Sequence, residues 1–309
     1  MKLATFVRAD ASPAVGLVDV ERGRILDLAK ASPDPCFAAM LALIDAGPAA
    51  LDRARATAAK WPQAASVPLA GTRLLAPIPE PRQMRDCLTF ELHLRNAIAQ
   101  SEKRTGIKRP FPEVWFKQPI YYKTNRFSIV GHDTDVVWPA YSRWMDYELE
   151  LACIIGKTGK DIRPEAAAAH IFGFTIFNDF SARDAQGAEM AAQLGPAKGK
   201  DFDTGNVLGP WIVTADEIGD PYDLRMDARV NGERWGGGNS GSMHHKWPAI
   251  LAHISQSETL RAGEIIGSGT VGTGCGLELG RQLQDGDVVE LEIEKIGVLR
   301  NRVVVVRQG

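Results

Sequence analysis

The chain contains no run approaching the roughly 20 consecutive apolar residues that a bilayer-spanning helix needs, so a membrane span is not expected in its 309 residues. Cysteine is scarce. Cys36, Cys87, Cys153 and Cys275 lie far apart and form no Cys-x-x-Cys pair. That fits free thiols in a reducing, cytoplasmic compartment better than a disulfide framework. Met1 to Asp10 lack a basic segment followed by an apolar one, so no secretory signal is expected. An excess of one charge is also missing. With 36 Lys and Arg against 38 Asp and Glu, no bulk field draws the chain to nucleic acid or to an anionic membrane surface. Tandem repeats, a low-complexity tail and a Gly-x-x-x-x-Gly-Lys phosphate loop are absent as well. What remains is an ordinary globular composition, 45% hydrophobic and 24% charged, in a length that can bury a sizeable core.

Residues 1–30 read as three short strands separated by Ser12-Pro13 and Arg22-Gly23. Residues 37–60 are rich in Ala and Leu and read as helix, broken at Gly47-Pro48 and ended by Trp61-Pro62. Pro68, Pro77, Pro79 and Pro81 then punctuate a connector. This predicts a small N-terminal α+β domain over 1–72 and a larger domain over 73–309. In the larger part, strand-like runs alternate with Gly and Pro turns. The best helical stretch follows Asp161, with Asp161 as cap, Pro164 in the first turn and Gly173 as the stop. Val289, Leu291 and Ile293 alternate strictly with Glu290, Glu292 and Glu294, and Gly297 turns the chain back into Val303 to Val306. That is a hairpin. The regular βαβ rhythm of a doubly wound sheet is missing, and the fold class reads as α+β, mainly β.

Asp146 to Gly156 reads as one strand, on which Glu148 and Glu150 share a face. Both faces turn apolar beyond Glu150. Two carboxylates at the entrance to a buried region repel each other and are costly to desolvate. A divalent cation removes both penalties, and hard cations prefer carboxylate oxygens. A second acidic segment, Phe177-Asn178-Asp179-Phe180-Ser181-Ala182-Arg183-Asp184, follows the strand-like Phe172 to Phe177 and sets Asp179 among aromatic residues.

Four motifs occur in order: Asp146-Tyr147-Glu148-Leu149-Glu150, Asn178 to Gln186, Gly199-Lys200-Asp201-Phe202, and Gly269-Thr270 in a glycine loop. Together they resemble the fumarylacetoacetate hydrolase family from about residue 75 to the C-terminus. The resemblance implies a mixed β-roll or sandwich catalytic domain, a homodimer, and a Mg²⁺ ion, or Mn²⁺ or Ca²⁺, held by Glu148, Glu150 and Asp179. Some members add an Asp seven residues before a catalytic His, a spacing that Asp86 and His93 reproduce. By the same likeness His93 is the general base and Glu278, in Leu277-Glu278-Leu279, orients it. Arg183, Gln186 and Lys200 stabilise the anionic intermediate, while Tyr122, Thr204 and Thr270 contact substrate.

The chemistry is coherent on general grounds. An imidazole can take a proton from water near neutrality, and a carboxylate partner fixes its tautomer. A cation chelated by a 1,3-dicarbonyl polarises it and offsets charge on the departing enolate. Cationic side chains add to that stabilisation. The expected activity is hydrolytic C–C cleavage of a small 2,4-dioxo acid, such as an acylpyruvate or fumarylpyruvate. The alternatives are decarboxylation, hydration or isomerisation of a 2-oxo acid, or metal and small-molecule binding without catalysis. Leu88 and Met190 stand where fumarylacetoacetate hydrolases proper carry substrate-contacting tyrosines, which points away from fumarylacetoacetate itself. The segment Arg104 to Gln118 is expected to shape the pocket.

Other signals are set aside. Gly267 to Gly272 fits Gly-x-Gly-x-x-Gly, but Thr273-Gly274-Cys275-Gly276 cannot begin the helix that a dinucleotide site needs. His244-His245 follows a glycine-rich stretch, Gly236 to Ser242, that reads as a mobile loop. Cys87 near His93 has no triad pattern around it, and His170 reads as a structural residue late in its helix.

Overall fold

The computed structural model describes residues 1–306. Its main element is an 11-stranded sheet. The N-terminal strands Ser66–Pro68, Arg24–Asp27, Pro13–Asp19 and Lys2–Val7 form one end of it. Lys2–Val7 then pairs antiparallel with Asn206–Thr214, so the first residues of the chain continue the sheet that carries the site. Ile171–Asp179, Leu149–Ile155, Ile265–Gly267, Met84–Cys87 and Tyr121–Lys123 follow in that order. Leu149–Ile155 and Asn206–Thr214 are buried at every position, as the apolar runs on both of their faces require.

A second sheet of five strands contains the C-terminal hairpin, Val288–Ile293 and Gly297–Val304. The alternation seen in the sequence holds: Val289, Leu291 and Ile293 are buried. The helices Met40–Asp45 and Gly47–Lys60 bear out the Ala/Leu-rich segment and its break at Gly47.

Three local expectations are corrected. The stretch after Asp161 is a 3-10 helix, Pro164–His170, and Gly173 lies within a strand. Asp161 does not cap it. Its φ is +52° and its carboxylate accepts the amide of Ser257 instead. The glycines at 236–238 belong to a strand, Glu233–Asn239, followed by the 3-10 turn Ser240–Ser242. A Cβ on Gly236 would collide with the carbonyl of Thr273, so glycine there serves close packing against the 270s loop rather than mobility. That loop leads only into the single helical turn Gly276–Leu279, far short of the helix a dinucleotide site needs. An acidic side chain supplies its N-terminal partner from a distant strand, which no local pattern announces.

Candidate active site

Three strand ends converge. Asp86 leaves Met84–Cys87, which runs parallel to Ile265–Gly267 with Asp86 opposite Gly267. Glu150 sits near the start of Leu149–Ile155, and Asp179 ends Ile171–Asp179, the neighbouring antiparallel strand. One carboxylate oxygen from each of Asp86, Glu150 and Asp179 lies within 4.8 Å of the others. The glycine loop makes this approach possible. A Cβ on Gly267 would strike Asp86 Oδ1 and come within 2.7 Å of Glu150 Oε2. Gly269, held at φ +81°, points its amide at the pair, donating to Glu150 Oε2 at 3.0 Å and to Asp86 Oδ1 at 3.2 Å.

Glu148 faces the same cluster but is paired differently. Its carboxylate meets Lys200 Nζ at 2.6 Å and Arg183 Nη1 at 2.6 Å. Lys200 also reaches Asp179 Oδ2 at 2.5 Å. The Tyr122 hydroxyl donates to that same oxygen at 2.7 Å. The carboxylates read from the sequence therefore divide: Asp86, Glu150 and Asp179 group together, and Glu148 joins them through Lys200.

The electrostatics test whether a cation fits. The four carboxylates, Lys200 and Arg183 are buried, and Tyr122 is half-buried. Burial pushes the Asp86 carboxyl up to about 7 and that of Asp179 up to about 6, against the pull of Lys200. Burial and then the adjacent Asp86 charge hold Glu150 well above its usual range. Glu148 moves the other way. Burial would raise it, but Arg183 and Lys200 more than offset that. Glu150 Oε1 and Asp179 Oδ1 are buried and accept no hydrogen bond. Buried carboxylate oxygens left without partners are costly, and an oxygen-preferring divalent ion such as Mg²⁺ or Mn²⁺ meets that deficit. The donor set fits the metal.

Cation binding must displace the protons that burial retains on Asp86 and Asp179. Glu150, held higher still, must give up its proton as well, so Mn²⁺ affinity is expected to rise steeply from about pH 5 upward. Calorimetric titration across that range checks it, and a pH-independent affinity would contradict this assignment of the ligands.

A second cluster adjoins the first. His93 lies in the first turn of the helix Glu91–Thr105 and its Nδ1 is 2.8 Å from Glu278 Oε1. Asn96, one turn further along, and the Thr273 amide both donate to Glu278 Oε2 at 2.8 Å. Gln100 holds the Glu278 carbonyl. Burial would raise the Glu278 carboxyl, but the hydrogen bond to His93 and the imidazole beside it bring it below its ordinary value. Cys275 lies beside them, 3.4 Å from Glu278 Oε1, and burial pushes its thiol well up. It is a packed thiol rather than a nucleophile. A backbone bridge between Glu148 and Cys275 joins this cluster to the carboxylates.

The remaining predicted residues sort by their contacts. Gln186 accepts from Arg183 Nη1 at 3.0 Å and so orients the guanidinium. Thr270 is buried in the glycine loop. Thr204 accepts the Val137 amide at 2.8 Å, which is a structural use of its hydroxyl. The helix Val114–Lys117, within the 104–118 segment, buries Trp115, whose indole donates to the Leu88 carbonyl. His245 bonds the Trp115 carbonyl and His244 packs against the Trp115 ring, consistent with structural roles. Sequence reasoning gave no role to Asp146 or Asn96. Asn96 stands three residues after His93, one helical turn on, a spacing that could have drawn attention to it.

The family model for the fumarylacetoacetate hydrolase C-terminal domain matches residues 87–304. The chain belongs to that family. A curated relative, oxaloacetate tautomerase FAHD2B, mitochondrial, from Bos taurus, is 34% identical over 296 residues, covering 95% of this chain and 88% of that protein. Human oxaloacetate tautomerase FAHD2A, mitochondrial, is 42% identical over 189 residues, which span 61% of this chain and 60% of that one. Among solved structures, maleylpyruvate hydrolase from Sphingobium sp. SYK-6, in complex with manganese(II) and pyruvate, superimposes with a TM-score of 0.76 at 25% identity, covering 99% of this chain and 100% of that one. The family thus includes enzymes of more than one reaction type. Among the described residues no helix is long and apolar enough to cross a membrane.

Proposed function

We propose that this family member hydrolyses a C–C bond in a small 2,4-dioxo acid. The observation that carries the reading is the His93–Glu278 pair, bonded at 2.8 Å beside the carboxylate cluster. Glu278 is ionised and accepts from Nδ1, which leaves Nε2 as the basic nitrogen. In this reading Nε2 takes a proton from water as the water oxygen bonds to the substrate carbonyl carbon. The C–C bond then breaks, its electron pair leaves on the enolate fragment, and the imidazolium returns the proton to carbon. Lys200 and Arg183 place positive charge beside the group where negative charge develops. Asp86, Glu150 and Asp179 would hold a divalent ion, which when bound supplies Lewis acidity toward the dicarbonyl.

A second reading is a keto–enol tautomerase of a 2-oxo acid, favoured by the names of the mammalian relatives. It needs the same ligands and a proton carrier but no attacking water. A panel of acylpyruvates and oxaloacetate, assayed with Mn²⁺ and with EDTA, separates the two. Release of pyruvate and a carboxylic acid, abolished by EDTA, is the expected result. Interconversion of oxaloacetate tautomers without cleavage of any dioxo acid would replace the first reading by the second, and cleavage that survives full metal removal would overturn the metal-dependent mechanism.

A further inference from the structure

Asp146 opens the Asp-Tyr-Glu-x-Glu motif, is fully buried, and touches both halves of the site. On one side Arg183 grips its Oδ2 twice, through Nε at 2.9 Å and Nη2 at 2.7 Å. The remaining nitrogen of that guanidinium, Nη1, meets Glu148 at 2.6 Å. On the other side the amides of Gly276 and Leu277, at the start of the turn that carries Glu278, donate to Oδ1 at 2.8 Å and Oδ2 at 2.9 Å. The Tyr147 amide adds a third backbone donor to Oδ1. The backbone holds this arrangement in register. Met145–Asp146 pairs with Ser181–Ala182, the two residues before Arg183. Gly276 leaves room for the carboxylate, since a Cβ there would lie 2.7 Å from Oδ1.

We propose that Asp146 is a positioning residue that couples the metal-binding and proton-transfer halves of the site. Through Arg183 it fixes the orientation of Glu148, and through the Lys200 ammonium that Glu148 shares with Asp179 it fixes a carboxylate of the cation cluster. Through the first turn of Gly276–Leu279 it fixes Glu278, and through Glu278 the ring of His93. A carboxylate is required because only an oxygen-only group accepts simultaneously from two guanidinium nitrogens and two or three amides. Asn keeps the size but offers an NH₂ where one set of donors arrives, so one side of the junction must let go. The inference rests on His93 as base and on the carboxylates as cation ligands.

The test is Asp146→Asn in the full chain, compared with Glu278→Gln and with the double variant. Mn²⁺ affinity by titration calorimetry is expected to fall about 10–100-fold in Asp146→Asn, as for other residues that orient ligands, and to stay unchanged in Glu278→Gln. The downfield proton signal of the His93 Nδ1–H is expected to shift or broaden in Asp146→Asn. With Mn²⁺ saturating, Asp146→Asn is expected to lower kcat with little further loss when added to Glu278→Gln, because both act on one base. Additive losses in kcat, an unaltered Mn²⁺ affinity, or an unmoved Nδ1–H signal would overturn the coupling. If Asp146→Asn does not fold, Arg183→Lys takes its place. It retains a cation near Glu148 but cannot grip Asp146 with two N–H groups, and the same pattern is expected. The calorimetric and spectroscopic measurements need no turnover. A wild-type protein that hydrolyses nothing therefore sinks the hydrolase reading and leaves these two to decide the coupling.

Discussion

Replacing His93 by Ala is expected to lower hydrolysis of a cleavable 2,4-dioxo acid by about 10²–10⁴-fold, the usual range for a general base. The loss should fall on kcat, with KM little changed, because the imidazole acts on water rather than on the ground-state substrate. Glu278→Gln should approach the same loss, since it removes the charge that stabilises the imidazolium while Asn96 and the Thr273 amide still hold the side chain in place. Neither variant is expected to weaken Mn²⁺ binding, as neither residue is among the grouped carboxylates. Hydrolysis that continues unchanged in His93→Ala would remove the base from the mechanism. Hydrolysis lost together with Mn²⁺ binding would mean that His93 serves the metal instead.

Asp86→Asn is expected to separate stability from binding. In the metal-free protein, burial raises the folded-state value of Asp86 to about 7, above its unfolded value near 3.9. The folded chain then holds a proton that the unfolded chain has released. Stability from this group is fully present below about pH 4 and is lost as pH rises through about 7. Asn carries no charge to bury, and its side-chain amide can still hydrogen-bond to the neighbouring Glu150 carboxyl. At pH 8 in EDTA the variant should be the more stable by a few kcal/mol, at roughly 1.4 kcal/mol per unit of displaced pKa. The difference should shrink toward pH 5. Saturating Mn²⁺ should reverse the order, because the ion stabilises only the folded state that binds it and the variant should bind at least 10-fold more weakly, in line with residues that merely orient ligands. Thermal unfolding with EDTA and with Mn²⁺ at both pH values checks all four expectations. An Asn variant that is less stable at pH 8 without metal, yet binds Mn²⁺ normally, would take Asp86 out of the cation site.

The substrate's identity rests on other residues. Leu88, in place of a family tyrosine, uses its carbonyl to anchor the Trp115 indole. Met190, in place of another, is about half exposed on the helix Arg183–Ala191. Neither offers the phenol that fumarylacetoacetate hydrolases proper would use, which points away from fumarylacetoacetate itself.

Much of the site was legible in the chain itself because strands and motif order are local. The Asn178 to Gln186 segment announced Asp179 and Arg183 by type and spacing, whereas the single strand read over Asp146 to Gly156 is broken, with Met145–Asp146 in a separate sheet and Glu148 just before Leu149–Ile155. The C-terminal hairpin followed from period-2 alternation alone, since a two-stranded pattern with one buried face has little freedom of register. Tertiary structure decided how those carboxylates divide. Asp86 stands 64 residues before Glu150 in the chain, and only the pairing of Met84–Cys87 with Ile265–Gly267 brings it opposite Gly267 and against Glu150. Glu148 is turned to Arg183 and Lys200 because those cations arrive from another helix and loop. The glycine-rich stretch at 236–238 was misleading in isolation, because the contact that orders it, the Thr273 backbone, comes from a distant segment. Composition and periodicity thus determined which residue types could build a buried acidic site, and long-range strand pairing determined which of them face one another. The reason is physical: a hydrogen bond or ion pair depends on angstroms in space, and sequence spacing controls those distances only within a single strand or helix.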